Sequence, residues 1–182
     1  IGLRVYRVRL AIDSRKSLLL IALCGLILVV HWVAFFHAIQ VSTVAIGLVG
    51  FATFPVFVTF LEPLVAGQKY RMVDFASAAL VVVGLLLVAP GFSLANQGLV
   101  GLLWAVLSGA LFAVLVLINR RLVASHSPFV IVFYQLGIAG LCLAPLVFAA
   151  GAVPDTRDIG LLLLLCIVCT ALPHGLFIKS LA

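Results

Sequence analysis

The sequence predicts an all-α polytopic membrane protein with six transmembrane helices, and two observations carry this prediction. Asp, Glu, Lys and Arg are absent from four long stretches of 45, 45, 33 and 20 residues, at positions 17–61, 75–119, 122–154 and 159–178. A hydrocarbon core about 30 Å thick needs roughly 20 apolar residues per helix, so these stretches hold two, two, one and one crossings. In addition, 66% of the 182 residues are hydrophobic and 9% are charged, whereas soluble domains carry about 25% charged residues.

The first three spans are expected at about 17–37, 42–66 and 72–89, and the next three at about 98–118, 128–149 and 158–178. Short connections with turn-forming or polar residues separate them. In chain order these connections are Gln40–Ser42, Gly67–Lys69, Pro90–Gly91, Ser125–Pro128 and Gly151–Asp158. Loops this short predict a compact up-and-down bundle.

Basic residues lie on one side of the predicted bundle. Ten of the eleven Lys and Arg residues lie either before the first span or directly after the second, fourth or sixth span. The remaining one, Arg157, lies between the fifth and sixth spans. Because cytoplasmic loops carry the excess of Lys and Arg, the N-terminal segment is expected in the cytoplasm and the protein in a bacterial cytoplasmic (inner) membrane. The net charge of +6 is therefore a topology signal, and no nucleic-acid partner is expected.

The four cysteines lie inside apolar stretches. Cys166 and Cys169 have the CxxC spacing of a redox or metal pair, but their span is rich in Leu and has no second pair nearby. They are interpreted as inert small hydrophobes, and neither a metal site nor a cofactor is expected.

Small residues predict where helices approach one another closely. Span four has one at every fourth position, and spans three and five have similar patches. These residues are Gly101, Ala105, Gly109 and Ala113 in span four, Ala76 to Ala79 in span three, and Gly137 and Gly140 in span five.

An internal repeat relates the first span to the sixth. Shifting the sequence by 142 residues gives seven identities over positions 13–40, among them Asp13 with Asp155, Cys24 with Cys166 and Phe35 with Phe177. The two spans are five apart and must cross in opposite directions. This pattern indicates an inverted repeat of five helices, which is typical of secondary transporters with a site near the bilayer midplane.

Several stretches of residues 17–182 resemble EamA-type transporters of the drug/metabolite transporter superfamily. These stretches are Trp32–Ile39, Ser42–Ala45, Phe54–Val58, Val83–Leu87 and Gly101–Arg121. One departure is Gln68, where the family often has Glu. The resemblance implies a ten-helix (5+5) inverted-repeat transporter of small metabolites such as amino acids or drugs. Residues 1–90 would hold helices three to five of the first repeat, and residues 91–182 helices six to eight.

Two prolines inside spans are candidates for gating. Pro55 lies in the middle of span two, and Pro173 interrupts span six at the position that aligns with His31. Proline removes a backbone donor and kinks a helix. The two helices could flex around a cavity, or their kinks could be static and serve packing.

Glu62 is the acid within a span, and it is expected near the cytoplasmic interface. It is either a solvated interfacial carboxylate or a gate or proton carrier. The histidines have a similar pair of interpretations. His37 is assigned to an outer aromatic belt, whereas His31 and His174 lie deeper and could equally be structural or couple protons.

Thr53, Tyr134 and Gln135 are polar groups at membrane depth. They could bind substrate or could hydrogen-bond to neighbouring helices, which is the more common role. Asn119, with Arg120 and Arg121, is interpreted as a helix end and membrane anchor.

Three functions compete. A secondary active transporter, exporting or exchanging a small molecule by alternating access, fits the repeat and the kinks. An intramembrane enzyme needs His and carboxylates at one depth, and Glu62 and His31 are expected at different depths, so no enzyme is expected. A non-transporting assembly factor or channel component is the alternative.

The chain is interpreted as part of a longer protein, and alone it is not expected to transport. Lipid surrounds it, protons are a candidate coupling ion, and a homodimer is a candidate assembly.

Overall fold

The computed structural model describes residues 12, 14–66, 70–88, 96–151 and 154–181, and every regular element among them is a helix. The helices are α1 (Arg15–Val41), α2 (Val44–Phe51), α3 (Phe54–Ala66), α4 (Met72–Val88), α5 (Gln97–Val123), α6 (Pro128–Ala149), α7 (Thr156–Leu164), a π-helical segment (Leu165–Ala171) and α8 (Leu172–Ser180). Four features named from the sequence lie outside the described residues: Asp13, the basic residues before it, the turn at 67–69 and Pro90–Gly91.

The predicted spans coincide with these helices. Five continuous helical stretches, counting α2 with α3 and α7 with α8, are long and apolar enough to cross a membrane, and Met72–Leu87 is a shorter apolar helix. The prediction of an all-α polytopic membrane protein is therefore confirmed. Spans two and six are each divided internally, close to the prolines named from the sequence, Pro55 and Pro173.

Local chemistry explains several helix starts. The Thr43 hydroxyl accepts a hydrogen bond from the Ile46 N–H at 3.2 Å, which caps α2. At α7 the Asp155 carboxylate accepts from the Asp158 N–H at 2.7 Å, and the Asp158 carboxylate accepts from the Asp155 N–H at 3.3 Å. Such reciprocal caps satisfy the N–H groups that have no partner inside the helix.

Contacts divide the described residues into two units. Unit 1 contains the residues up to Leu26 and those from Ile118 onward, and unit 2 contains Ile27–Leu117. The fully buried residues of unit 1 include Ile21, Ile131 and Ile178, while Ala38, Ala105 and Leu115 are buried in unit 2.

Small residues let helices of unit 2 approach closely. Gly101, Ala105, Gly109 and Ala113 are all buried, so the predicted packing face of span four is confirmed. A Cβ on Gly101 would meet the Ser42 side chain and the Ala38 carbonyl oxygen. The same prediction for span five was wrong: Gly137 and Gly140 are exposed, and within the described part of the chain no atom lies within 4 Å of an added Cβ.

We expect Gly50→Ala to destabilise the full-length protein by about 1–3 kcal/mol, the usual cost of overpacking. The new Cβ would lie 2.5 Å from the Ala105 Cβ and 3.2 Å from the Leu102 carbonyl oxygen. Thermal unfolding in detergent measures the effect. Gly84→Ala is the matched control, because its Cβ would enter open space and alanine favours the helix. Equal melting temperatures for the two variants would contradict the close packing of α2 on α5.

Apolar side chains cover much of the exposed surface. Along α7 and the π-helical segment, every residue from Thr156 to Cys169 is exposed. Leu161, Leu163 and Val168 expose more than half of their surfaces, at 57%, 55% and 55%. Such a surface is stable where lipid or further apolar helices replace water.

Candidate functional site

A break in span two is the feature around which the candidate site is built. The Ala52 N–H donates to the Leu48 carbonyl at 2.9 Å, but the Thr53 N–H turns to the Gly50 carbonyl at 3.2 Å. The buried Thr53 hydroxyl donates to the same carbonyl at 2.7 Å. Pro55 has no N–H to offer the carbonyl of Phe51, so the helix cannot continue regularly through this point. The interruption expected at Pro55 is thus present and lies between α2 and α3.

His31 and Ser108 form a buried polar pair beside this break. The His31 Nδ1 lies 3.0 Å from the Ser108 carbonyl oxygen and 2.7 Å from the Ser108 hydroxyl, and that hydroxyl lies 3.1 Å from the His31 carbonyl oxygen. All three distances are satisfied when Nδ1–H donates to both the carbonyl and the hydroxyl oxygen of Ser108, and the hydroxyl donates to the His31 carbonyl. This arrangement fixes the orientation of the ring and leaves Nε2 of the neutral imidazole as an acceptor.

The pair and the break lie at similar depth. At about 1.5 Å per residue, roughly 15 Å of helix separate His31 from the end of α1 at Val41, and roughly 16 Å separate Ser108 from the start of α5 at Gln97. A hydrocarbon core about 30 Å thick has its centre at this distance. For helices that end at the edges of the core, we therefore expect His31 and Ser108 near the bilayer midplane.

Four phenylalanines, Phe35, Phe51, Phe54 and Phe112, form an aromatic cluster around His31. The centroid of the His31 ring lies 5.2 Å from that of Phe112, 5.4 Å from that of Phe51 and 6.4 Å from that of Phe35. Phe54 stacks on Phe51 at 5.4 Å. Because Phe51 and Phe54 flank the break, a change in the angle between α2 and α3 would move these rings relative to His31.

Gly109 brings α5 against the break. A Cβ at this position would lie 3.0 Å from both the Phe51 carbonyl oxygen and the Thr53 hydroxyl oxygen. This contact connects Thr53 to the His31–Ser108 pair through the backbone of α5. The structure therefore brings together three features from distant parts of the sequence: His31, Thr53 and the Pro55 break.

A second polar group lies in unit 1 and links three helices. The Gln135 Nε2 on α6 donates to the Asn119 Oδ1 on α5 at 2.6 Å, and the His174 Nε2 on α8 lies 3.3 Å from the Gln135 Oε1. Gln135 and Asn119 are fully buried. The Asn119 Nδ2 is also buried and has no hydrogen-bond partner among the described residues. We call these three residues the amide network.

The π-helical segment comes directly before this network. Within it the Thr170 hydroxyl donates to the Leu165 carbonyl at 2.9 Å, and Pro173 follows in the first turn of α8. Pro173 therefore lies at a change of helical geometry, immediately before His174. A π-helical turn carries one more residue than an α-helical turn and often marks a functional position.

The remaining candidates lie apart from these groups. Tyr134 is half-buried, with its ring centroid 5.5 Å from that of Phe133. Glu62 is half-buried in α3 and precedes Pro63, a second proline inside that helix. His37 is exposed and packs edge-on against Trp104 at 5.1 Å, an aromatic contact of the kind expected at a membrane interface. In the part of the chain that the structure describes, no three His, Cys, Asp or Glu side chains converge as metal ligands.

Two buried polar residues were not identified as site candidates from the sequence. Of the three residues interpreted as a helix end and anchor, Arg120 and Arg121 are exposed in the last turn of α5 as expected, whereas Asn119 is fully buried. Ser108 was not singled out, because a serine among apolar residues can bond to its own helix. The sequence did contain one indication that Ser108 and Asn119 could belong to a site: each is a polar residue within a stretch that has no charged residues.

Residues 99–182 match the EamA-like transporter family. The chain is 31% identical over 160 residues to the pseudopaline exporter CntI of Pseudomonas aeruginosa strain UCBPP-PA14, a match covering 85% of this chain and 55% of that protein. The CntI protein of the PAO1 strain gives the same identity and coverage.

A third relative comes from Bacillus subtilis. The uncharacterized transporter YxxF of strain 168 is 26% identical over 137 residues, covering 74% of this chain and 44% of that protein. The chain thus spans about half the length of the curated relatives it matches. No solved structure matches it.

Proposed function

Residues 99–182 belong to the EamA-like transporter family, as the sequence resemblance predicted, and from this premise we propose that the chain is part of a secondary active transporter. It exports small metabolites, such as amino acids or drugs, across the cytoplasmic membrane by alternating access. Two of its relatives are named as exporters of pseudopaline, which supports outward transport of a small molecule.

The break between α2 and α3 is the observation that carries this proposal. Secondary transporters place their substrate site near the bilayer midplane and build it from discontinuous helices. Irregular backbone at membrane depth is tolerated where protein or a water-filled cavity satisfies it. Here the break lies beside His31, Ser108 and Thr53, and the helix lengths support a position near the midplane. His31 and Thr53 are the substrate-contacting residues in this proposal, and Pro55 is the hinge.

The domain arrangement of the proposal follows the internal repeat. Residues 1–90 supply the last three helices of a first repeat, and residues 91–182 the first three helices of a second. In this repeat span six corresponds to span one, and Pro173 aligns with His31. The divisions at Pro55 and near Pro173 are therefore two separate changes of geometry inside membrane helices. The complete transporter has ten helices, and the loops rich in Lys and Arg face the cytoplasm.

Efflux from cells that express the full-length protein tests the proposal. A panel of amino acids and small drugs is loaded into the cells, and loss of each compound is followed with and without a proton uncoupler. We expect selective efflux that stops on uncoupling, because Glu62, His31 and His174 are the candidate proton carriers. Absence of efflux for every compound would favour a non-transporting assembly factor.

Glu62 is the proposed proton-carrying carboxylate. We expect Glu62→Gln to retain folding but to lose the pH dependence of efflux, because the amide keeps the size of the side chain and cannot titrate. The control is Asp74→Asn, which removes a carboxylate from the first turn of a different helix, α4. If Glu62→Gln showed the wild-type rate at every pH, Glu62 would be an interfacial residue with no coupling role.

A further inference from the structure

We propose that the amide network of Asn119, Gln135 and His174 is a second ligand site, which binds the carboxylate of a transported molecule near the basic ends of the helices. This inference rests on the proposed function, because it assigns a chemical class to the substrate. It concerns unit 1 alone, and it uses residues other than those at the break between α2 and α3.

The hydrogen bonds of the network all run in one direction. His174 Nε2–H donates to Gln135 Oε1, and Gln135 Nε2–H donates to Asn119 Oδ1. The next donor along this chain is the Asn119 Nδ2. Aligned hydrogen bonds polarise one another, so the Gln135–Asn119 bond, which remains after His174 withdraws, makes the last amide a stronger donor than an isolated asparagine.

That last donor has no partner among the described residues, although it is completely buried. Leaving a buried donor without an acceptor is costly, and native proteins satisfy nearly all such groups with protein, water or ligand. A ligand that binds this donor must therefore offer an acceptor. A carboxylate is a stronger acceptor than a neutral carbonyl or hydroxyl, because hydrogen bonds to charged groups are shorter and stronger than neutral ones.

The position of the network favours an anion. Roughly 6 Å of helix separate Asn119 from the end of α5 at Val123, and roughly 9 Å separate His174 from the end of α8 at Ser180. Arg120 and Arg121 are exposed in the last turn of α5, and Lys179 is exposed at the end of α8. These cations raise the local concentration of anions at the ends of the helices.

A ligand can reach Asn119 only if the network opens, because its amide nitrogen is enclosed in this structure. His174 is the half-buried member and follows the π-helical segment and Pro173. If the π-helical turn changes to α-helical hydrogen bonding, the register of the following helix shifts by about one residue. Such a shift in α8 would withdraw His174 from Gln135 and uncover the two amides.

Saturation-transfer NMR on the purified full-length protein in lipid nanodiscs tests the site. The probes are phenylacetate and benzylamine, which share a benzyl group and differ in their charged group. We expect phenylacetate to bind, and Asn119→Asp to raise its dissociation constant at least roughly tenfold. Aspartate has the same shape, keeps an acceptor for Gln135 and removes the donor. Asn119→Leu is the second variant if Asn119→Asp does not fold.

The matched control is Gln97→Leu, which removes an exposed amide at the opposite end of α5 and should leave phenylacetate binding unchanged. The inference is overturned if phenylacetate does not bind to the wild type, or if both Asn119 variants bind it normally. It is also overturned if the Asn119 variants lose binding of benzylamine and not of phenylacetate. If the wild type shows efflux but phenylacetate binding does not depend on Asn119, this inference is overturned and the proposed function is not. Loss of phenylacetate binding in the variants, with no efflux of any compound by the wild type, would support the site and contradict the proposed function.

Discussion

Replacing Pro55 with alanine is expected to lower the efflux rate of the full-length protein at least roughly tenfold without lowering its melting temperature. Alanine supplies the N–H that the Phe51 carbonyl lacks, and it is favoured over proline in a helix interior by about 3 kcal/mol. The two short helices α2 and α3 would then join into one. Phe54 and the Thr53 hydroxyl would move relative to His31, and the proposed hinge would be lost.

Pro145→Ala is the control for this variant, because Pro145 lies inside α6 and is exposed. It removes a proline from a membrane helix in the same way but leaves the break unchanged, so the wild-type efflux rate is expected. Cysteine-labelling of positions on the two sides of the membrane should show Pro55→Ala held in one accessibility state. An unchanged efflux rate and unchanged accessibility would mean that the break is a static packing feature.

Replacing His31 with asparagine is expected to reduce efflux at least roughly tenfold while the protein still folds. The asparagine Nδ2 occupies nearly the place of the histidine Nδ1 and can still donate to the Ser108 carbonyl, which His31 Nδ1 approaches to 3.0 Å. The variant therefore keeps the buried hydrogen bond but loses Nε2, the ring nitrogen that is proposed to contact substrate. Loss of the ring also opens space within the aromatic cluster.

His37→Asn is the matched control on the same helix. His37 is exposed and contacts Trp104, so its loss should leave both efflux and folding close to wild type. A parallel fall of efflux and of the amount of folded protein in His31→Asn would show that His31 acts through packing. A normal rate in His31→Asn would remove Nε2 from the proposed substrate site.

Part of the candidate site could be predicted from residue chemistry alone. A proline within an apolar span has only a few structural outcomes, so the interruption near Pro55 was correctly expected. His31 and His174 were both expected deep in their spans; His31 is buried, whereas His174 is half-buried and lies six residues before the end of α8. Their roles were left open, because a histidine in a membrane can serve packing, hydrogen bonding or proton transfer, and the sequence does not say which groups face it.

The partners of these residues could not be predicted. Ser108 is 77 positions from His31, and His174 is 39 positions from Gln135. Hydrogen bonds across helices depend on the rotation of each helix about its axis, which small differences in packing determine. For the same reason the small-residue pattern predicted a packing face correctly on α5 and wrongly on α6.

The sequence by itself determined that this chain forms membrane-spanning helices, where they begin and end to within a few residues, and which ends carry the basic residues. These properties follow from hydrophobic thickness and charge, which act on each segment separately. Only the tertiary structure decided that His31 meets Ser108 beside the break, that Asn119 is buried in a network with an open donor, and that α8 begins after a π-helical segment. Such pairings arise when helices that are far apart in the chain pack together and every buried polar group must find a partner.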